Sequence, residues 1–226
     1  MSNWSKSKEI ILNQVTFKNK KILDVGCGDG WFSIWCSNYQ CHVDAIDPSE
    51  EQINNAKNKN NNVNFFIIGG ENIKNLKNNY DLIYFFNSLH HISKELIGRS
   101  LLESRESLNK NGLVFIIEPI AEGNFHNFIK IIDDETEVRN IAYQEIKNCE
   151  KYNLEIKKEI FYNEVKSFKN EESCIQFLMK VDKNRENYIN KNLDYLSIKF
   201  NELSNFNNNK YEFIQPMRLN ILNQIN

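Results

Sequence analysis

The sequence predicts an α/β fold: a mostly parallel sheet with helices on both faces. Three observations carry this. Short apolar runs alternate with helix-period patterns between residues 22 and 119, and strands joined by helical crossovers form a parallel sheet with right-handed connections. The run YDLIYFF, residues 80–86, is too apolar for a strand with one wet face and suits a strand buried on both. The stretch ILDVGCGDGWFS, residues 22–33, ends a strand in an acid and three alternate glycines before a helix. That arrangement brings backbone N–H groups and a helix N-terminus against a ligand.

The elements follow in order. Residues 22–25 read as a first strand and 30–38 as a helix; 43–46 and 48–58 repeat the pair, and 63–68 give a third strand. After the fourth strand, residues 93–108 carry Leu96, Ile97, Leu101 and Leu108 at helical spacing. LNKNG breaks that helix, and LVFIIEP is a fifth strand. Residues 133–152 read as a helix with Val138, Ile141, Ala142 and Ile146 on one face. Residues 154–168 form one long strand, 171–206 two helices, and the chain from 211 a last strand. Pro216 is out of place there, because proline cannot donate to a ladder. The organisation is one domain over 1–226 with a helical insertion at 170–209.

Composition excludes several function classes. The formal net charge of −2 leaves no bulk attraction for nucleic acid or anionic lipid. No segment approaches the ~20 apolar residues of a membrane helix, and the N-terminus has no signal-peptide pattern. The five cysteines form no CxxC pair and no zinc spacing, so no metal is expected and a reduced, cytoplasmic chain is. The asparagine-rich run at 58–64 reflects coding bias rather than chemistry.

The glycine spacing narrows the ligand. A dinucleotide fingerprint reads G-x-G-x-x-G, and a P-loop ends in Lys-Ser/Thr. Here Gly26, Gly28 and Gly30 give G-x-G-x-G, with Asp24 two residues earlier. An acid at that mouth is a poor neighbour for a pyrophosphate and a good one for a ligand carrying an ammonium and a sulfonium. LDVGCGDG, then DAIDPSE, YDLIYFFNSLHHIS and LNKNGLVFIIEP, occur in an order that resembles the class I S-adenosylmethionine-dependent methyltransferases, closely over roughly residues 20–120. The resemblance implies a Rossmann-like sheet of seven strands, the last antiparallel, with helices on both faces and the helical insertion between the last two strands. It implies S-adenosyl-L-methionine as cofactor and S-adenosyl-L-homocysteine as product.

It also implies roles for residues. Asp24, Gly26, Cys27, Gly28 and Gly30 would lie at the methionine portion and ribose. Asp47 would accept the ribose hydroxyls; alternatively Asp47, Pro48, Ser49 and Glu50 form a capping box with proline at the first helical position. The family's acid after the third strand would fall at Gly70, with Glu71 one residue late, so adenine recognition is assigned to Gly70, Glu71 and Asn72. Phe86 and Asn87 would border the methionine and sulfonium.

Methyl transfer is an in-line displacement that depends chiefly on orientation, so no base is obligatory. Candidate bases are His126, between Phe125 and Phe128, with His91 and Glu118. Asp133, Asp134, Glu135 and Glu137 are either a site for a cationic substrate or an acidic first turn facing water. The expected acceptor is O, N or S of a small metabolite, the expected state a monomer or homodimer, with neither nucleic acid nor membrane as partner. Rival readings are a tRNA or other nucleic-acid methyltransferase, which would want a basic face, and a non-catalytic cofactor-binding partner. The join at 169–210 is long enough to be functional and is expected to roof the acceptor site together with the His126 segment.

Overall fold

The computed structural model describes residues 4–60, 62–181 and 183–225. Asn61, in the asparagine-rich run, and Asp182, in the sequence segment expected as a helical insertion, lie outside the described residues. In chain order the elements are α1 (Ser5–Leu12), β1 (Lys21–Val25), α2 (Trp31–Ser37), β2 (His42–Asp47), α3 (Glu50–Lys57) and β3 (Asn64–Ile67). Then come β4 (Tyr80–Phe86), α4 (Lys94–Glu106), β5 (Leu108–Pro119), α5 (Gly123–Ile129), α6 (Thr136–Lys147) and β6 (Leu154–Phe168). The chain closes with α7 (Glu171–Val181), α8 (Glu186–Lys191), α9 (Leu193–Leu203), β7 (Asn205–Asn207) and β8 (Lys210–Gln224).

The strands form one sheet in the order β3-β2-β1-β4-β5-β8-β6, with the short β7 antiparallel to β8. The first five strands are parallel, in registers such as Asp24↔Ala45 and Asp24↔Tyr84, and the last strands are antiparallel. The expected fold class therefore holds. The order reverses between β1 and β4, so their carboxyl ends open the crevice where α/β sheets bind ligands.

The chain folds as two compact units, one of residues 15–118, 138–160 and 218–226, the other of 1–14, 119–137 and 161–217. Residues 170–209, expected as an insertion within one domain, lie wholly in the latter.

The first of these holds the glycine loop. Its core joins Leu23, Val25, Ile46, Ile83, Phe85, Ile97, Leu101, Val114, Ile116 and Ile146. β4 is buried on both faces, which is why its sequence lacks alternation. Leu108 belongs to β5 rather than to the preceding helix. The register jumps from Tyr80↔Leu108 to Leu82↔Leu113, so residues 109–112 bulge outward, with Asn111 at φ 66°. α6 starts at Thr136, not at residue 133, and Val138 is exposed, whereas Ala142 and Ile146 are buried. Arg139 takes an inward position instead.

The second unit packs Phe125, Phe128, Phe168, Leu178, Leu196, Phe200 and Phe213 into a core of its own. The inserted helices thus share a core with the helix that carries His126. Among the described residues they are three, α7, α8 and α9, rather than two, because the pattern breaks at Asn192, where φ is −127°. Leu193 and Ile198, apolar positions of α9, are exposed. Helix α1, which the sequence did not suggest, is held by its backbone: the Ser7 amide donates to Glu164 at 2.6 Å, and the Ser7 and Tyr162 hydroxyls share a bond of 2.8 Å.

Pro216 sits inside β8. The Ile120 amide donates to the Pro216 carbonyl at 2.9 Å. Proline has no N–H to return, and the Gln215 side chain replaces it, donating from Nε2 to the Ile120 carbonyl at 2.8 Å. A side-chain amide thereby repairs the ladder that proline interrupts.

Candidate functional site

The loop between β1 and α2 is tied to β2. The amides of Gly26 and Cys27 both donate to the Ile46 carbonyl, at 2.8 and 3.0 Å. The Gly28 amide donates to Asp47 Oδ2 and the Ser49 amide to Asp47 Oδ1, each at 2.9 Å. The last residue of β2 thus organises both the glycine turn and the start of α3. The capping-box alternative is corrected in one respect: the N-cap of α3 is Ser49, whose hydroxyl accepts from the Gln52 amide at 3.3 Å. Pro48 precedes the cap, outside the helix, and is exposed.

The three glycines share left-handed φ values of 73°, 52° and 79°, which glycine adopts without a Cβ clash, yet their surroundings differ. A Cβ on Gly26 would meet Ser88 Cβ at 2.5 Å, and one on Gly30 would meet Ala56 and Phe65 at 2.9 Å. A Cβ on Gly28 would meet no protein atom within 4 Å. Packing alone thus requires glycine at Gly26 and Gly30, whereas Gly28 borders open space.

Asp24 is buried, and the Ser33 hydroxyl donates to its Oδ2 at 2.5 Å. Burial, with Asp47 adding to it, pushes its carboxyl up to about 7 against the opposing Ser33 bonds. Cys27 is also buried; burial first, then Asp24 and Asp47, push its thiol well above the ordinary range. A thiol held protonated is a packing group and not a nucleophile. All five cysteines are free.

Position 70 is tight for a side chain. A Cβ on Gly70 would lie 3.0 Å from Val25, 3.1 Å from Ile92 and 3.3 Å from Ser100. The carboxylate is displaced to Glu71, whose Oε1 accepts from Asn72 Nδ2 at 2.7 Å, so the two candidates form one polar pair. At the end of β4, Phe86 packs edge-on against Trp31 with ring centroids 4.9 Å apart. Asn87 turns the chain at φ 54°, and its amide donates to the Ile117 carbonyl at 2.7 Å.

Glu118 is buried at the end of β5, and its oxygens are occupied within the fold. Oε1 accepts from the amides of Leu89 at 2.8 Å and Ser88 at 3.2 Å, and Oε2 pairs with His90 Nδ1. Burial pushes its carboxyl up, but His90 and the Leu89 amide outweigh burial and hold it below the usual range. This geometry suits holding the turn after β4 rather than exchanging protons with a substrate. His91 is exposed, its ring 4.1 Å from that of His90.

In the other unit His126 is buried on α5, Nε2 lying 3.3 Å from the Thr136 hydroxyl. The acidic cluster divides: Asp134 and Glu137 are exposed, whereas Asp133 and Glu135 are paired. Asp133 and Glu135 pair with Arg185 at 2.8 and 3.1 Å, and Asp134 accepts from the Thr136 amide at 3.0 Å. Glu137 lies in the first turn of α6.

Sequence reasoning missed two contributors, Ser33 and Ser88. Each serves another polar group from inside the fold. Ser33, a polar residue in the apolar helix WFSIWCS, is the one that patterning alone could have flagged.

Comparison with known proteins agrees with this geometry. Residues 6–160 match the family model for the methyltransferase domain. The malonyl-(acyl-carrier protein) O-methyltransferase of Buchnera aphidicola subsp. Baizongia pistaciae is 31% identical over 139 residues, 61% of this chain and 53% of that protein. The chain thus spans about half the length of the curated relative it matches. Among solved structures, the YcgJ protein of Bacillus subtilis superposes with a TM-score of 0.65 at 19% identity, covering 96% of this chain and 97% of that one. A SAM-dependent methyltransferase of Leishmania major gives 0.58 at 14%, covering 98% and 72%. With the family model spanning most of the chain and the glycine loop, Asp47 and strand order in place, the chain belongs to the methyltransferase domain family, of the S-adenosylmethionine-dependent class I kind that its motifs resemble.

Proposed function

We propose that the protein uses S-adenosyl-L-methionine to methylate O, N or S of a small metabolite. The observation that carries this is Gly28. Its φ is left-handed, its missing Cβ faces open space, and its amide is fixed by the carboxylate that ends β2. A ligand can approach that backbone where an alanine methyl would otherwise stand. The residues fit the cofactor: Asp47 for ribose hydroxyls, Glu71 and Asn72 for adenine, and buried Asp24 near the methionine portion.

The cofactor, when bound, supplies an electrophilic methyl group on a sulfonium. The chain's contribution is orientation. The Asp47 carboxylate holds the turn, the Trp31–Phe86 pair stiffens the start of α2 against the end of β4, and Glu118 with His90 fixes the residues that follow β4. Such preorganisation accounts for much of the catalysis of a displacement. Where an acceptor needs a base, His126 is the preferred group, with Thr136 orienting its ring. The balanced charge of −2 supports a metabolite over nucleic acid.

A second reading, O-methylation of an acyl group on a carrier protein, is favoured by the Buchnera relative alone. A thermal-shift panel tests the cofactor assignment. S-adenosylmethionine and S-adenosylhomocysteine should raise the melting temperature and NAD should not. A shift with NAD alone would reject it.

A further inference from the structure

Lys59 stands just past the end of α3, in the asparagine-rich run, and meets the glycine loop twice. Its ammonium donates to the Asp29 carbonyl at 2.9 Å and to Asp29 Oδ2 at 2.5 Å. Asp29 lies between Gly28 and Gly30, in a turn closed by the Gly30 amide, which donates to the Cys27 carbonyl at 3.0 Å. Each central residue of that turn therefore has a tether from outside it. The Gly28 amide is held by Asp47, which precedes α3, and the Asp29 carbonyl by Lys59, which follows it. All of these residues belong to the same compact unit.

The two side chains are 44% and 37% exposed, and an ion pair this open to water adds little to folding stability. The bond to the carbonyl does something else. It orients backbone next to Gly28, whose missing Cβ faces open space. A turn already held in its bound shape spares a ligand the cost of ordering it. We propose that Lys59 is a positioning residue for the cofactor: by gripping the carbonyl and the carboxylate of Asp29 it holds the glycine turn in the shape that accepts the ligand. This rests on the cofactor reading above. Because the grip is ionic and exposed, part of the cofactor affinity is sensitive to salt although the fold is not.

The test is calorimetry with S-adenosylhomocysteine on the full chain, beside urea unfolding of each variant. Lys59→Met should weaken binding about fivefold, the upper range for an exposed ion pair, with the urea midpoint unchanged. Lys59→Arg, which keeps a charged donor for both oxygens, should restore most of the loss. The advantage of wild type over Lys59→Met should shrink in about 1 M salt, where the Debye length is about 3 Å. In a double-mutant cycle, Lys59→Met and Asp29→Asn should be less than additive, because one acts through the other. Full additivity, or unchanged affinity in Lys59→Met, overturns the proposal and leaves the cofactor reading standing. A loss of affinity matched by an equal loss of stability also overturns it and makes Lys59 a structural contact. No binding by the wild type overturns both.

Discussion

The Gly28 amide donates to Asp47 Oδ2 at 2.9 Å, joining residues nineteen apart in sequence. One carboxylate therefore shapes the glycine turn and, through Oδ1, the entry to α3. A ribose bound there would meet oxygens already oriented by two amides.

Replacing Asp47 by alanine removes those charge-assisted bonds, each worth about 1.5–3 kcal/mol. Affinity for S-adenosylhomocysteine should fall at least tenfold by calorimetry, with far-UV circular dichroism unchanged. Unchanged affinity would reduce Asp47 to a loop organiser.

The glycines should separate by experiment. Gly26→Ala and Gly30→Ala drive a Cβ against Ser88 or against Ala56 and Phe65, and overpacking of this kind costs about 1–3 kcal/mol beyond the left-handed strain. Gly28→Ala carries about 1–2 kcal/mol of strain and meets no protein atom. Urea unfolding should show the first two less stable than the third. Cofactor affinity should fall in Gly28→Ala although its fold persists.

The parallel half of the fold was legible because each strand there ends in a motif, and YDLIYFF declares a doubly buried position. The glycine turn was legible at Gly28 for the same reason, and the structure ties that turn to Asp47. What escaped reading depends on tertiary neighbours. Asp47 and Ser49 are equally good caps in sequence, and the amide of Gly28 decides between them. Position 70 is tight because of Val25, Ile92 and Ser100, which come from other elements. α1 has a weak pattern and is recruited by Glu164, far along the chain. Pro216 looked foreign to a strand because Gln215 repairs the ladder through its side chain. Val138 and Ile198 fit helical spacing but stand on the exposed sides of their helices.

Glu118→Gln should cost about 1–3 kcal/mol near neutral pH, because it removes a buried carboxylate that accepts from two backbone amides and pairs with His90. The sign follows from the lowered carboxyl of Glu118. Its stabilisation is present above the usual carboxylate range and is lost as pH falls through the depressed value. The stability gap between wild type and variant should close in acid, measured by urea unfolding across pH.

Lys166 behaves in the opposite sense. It is buried with its ammonium 3.0 Å from the Trp4 ring centroid, and burial, opposed by Glu164, pushes it down to about 7. Between that value and the usual 10.5 the unfolded chain holds more protons, so stability should rise with pH over this window. Lys166→Met should flatten the rise, measured by urea unfolding across this window.

The central claim is that methyl groups pass from S-adenosylmethionine to a small molecule. The direct measurement is transfer of labelled methyl from the cofactor into a size-fractionated metabolite extract, run beside bulk tRNA and acyl-carrier protein. The account predicts label in the small-molecule fraction, abolished by Asp47→Ala. Label confined to tRNA, or no transfer to any fraction by a protein that binds the cofactor, would contradict it.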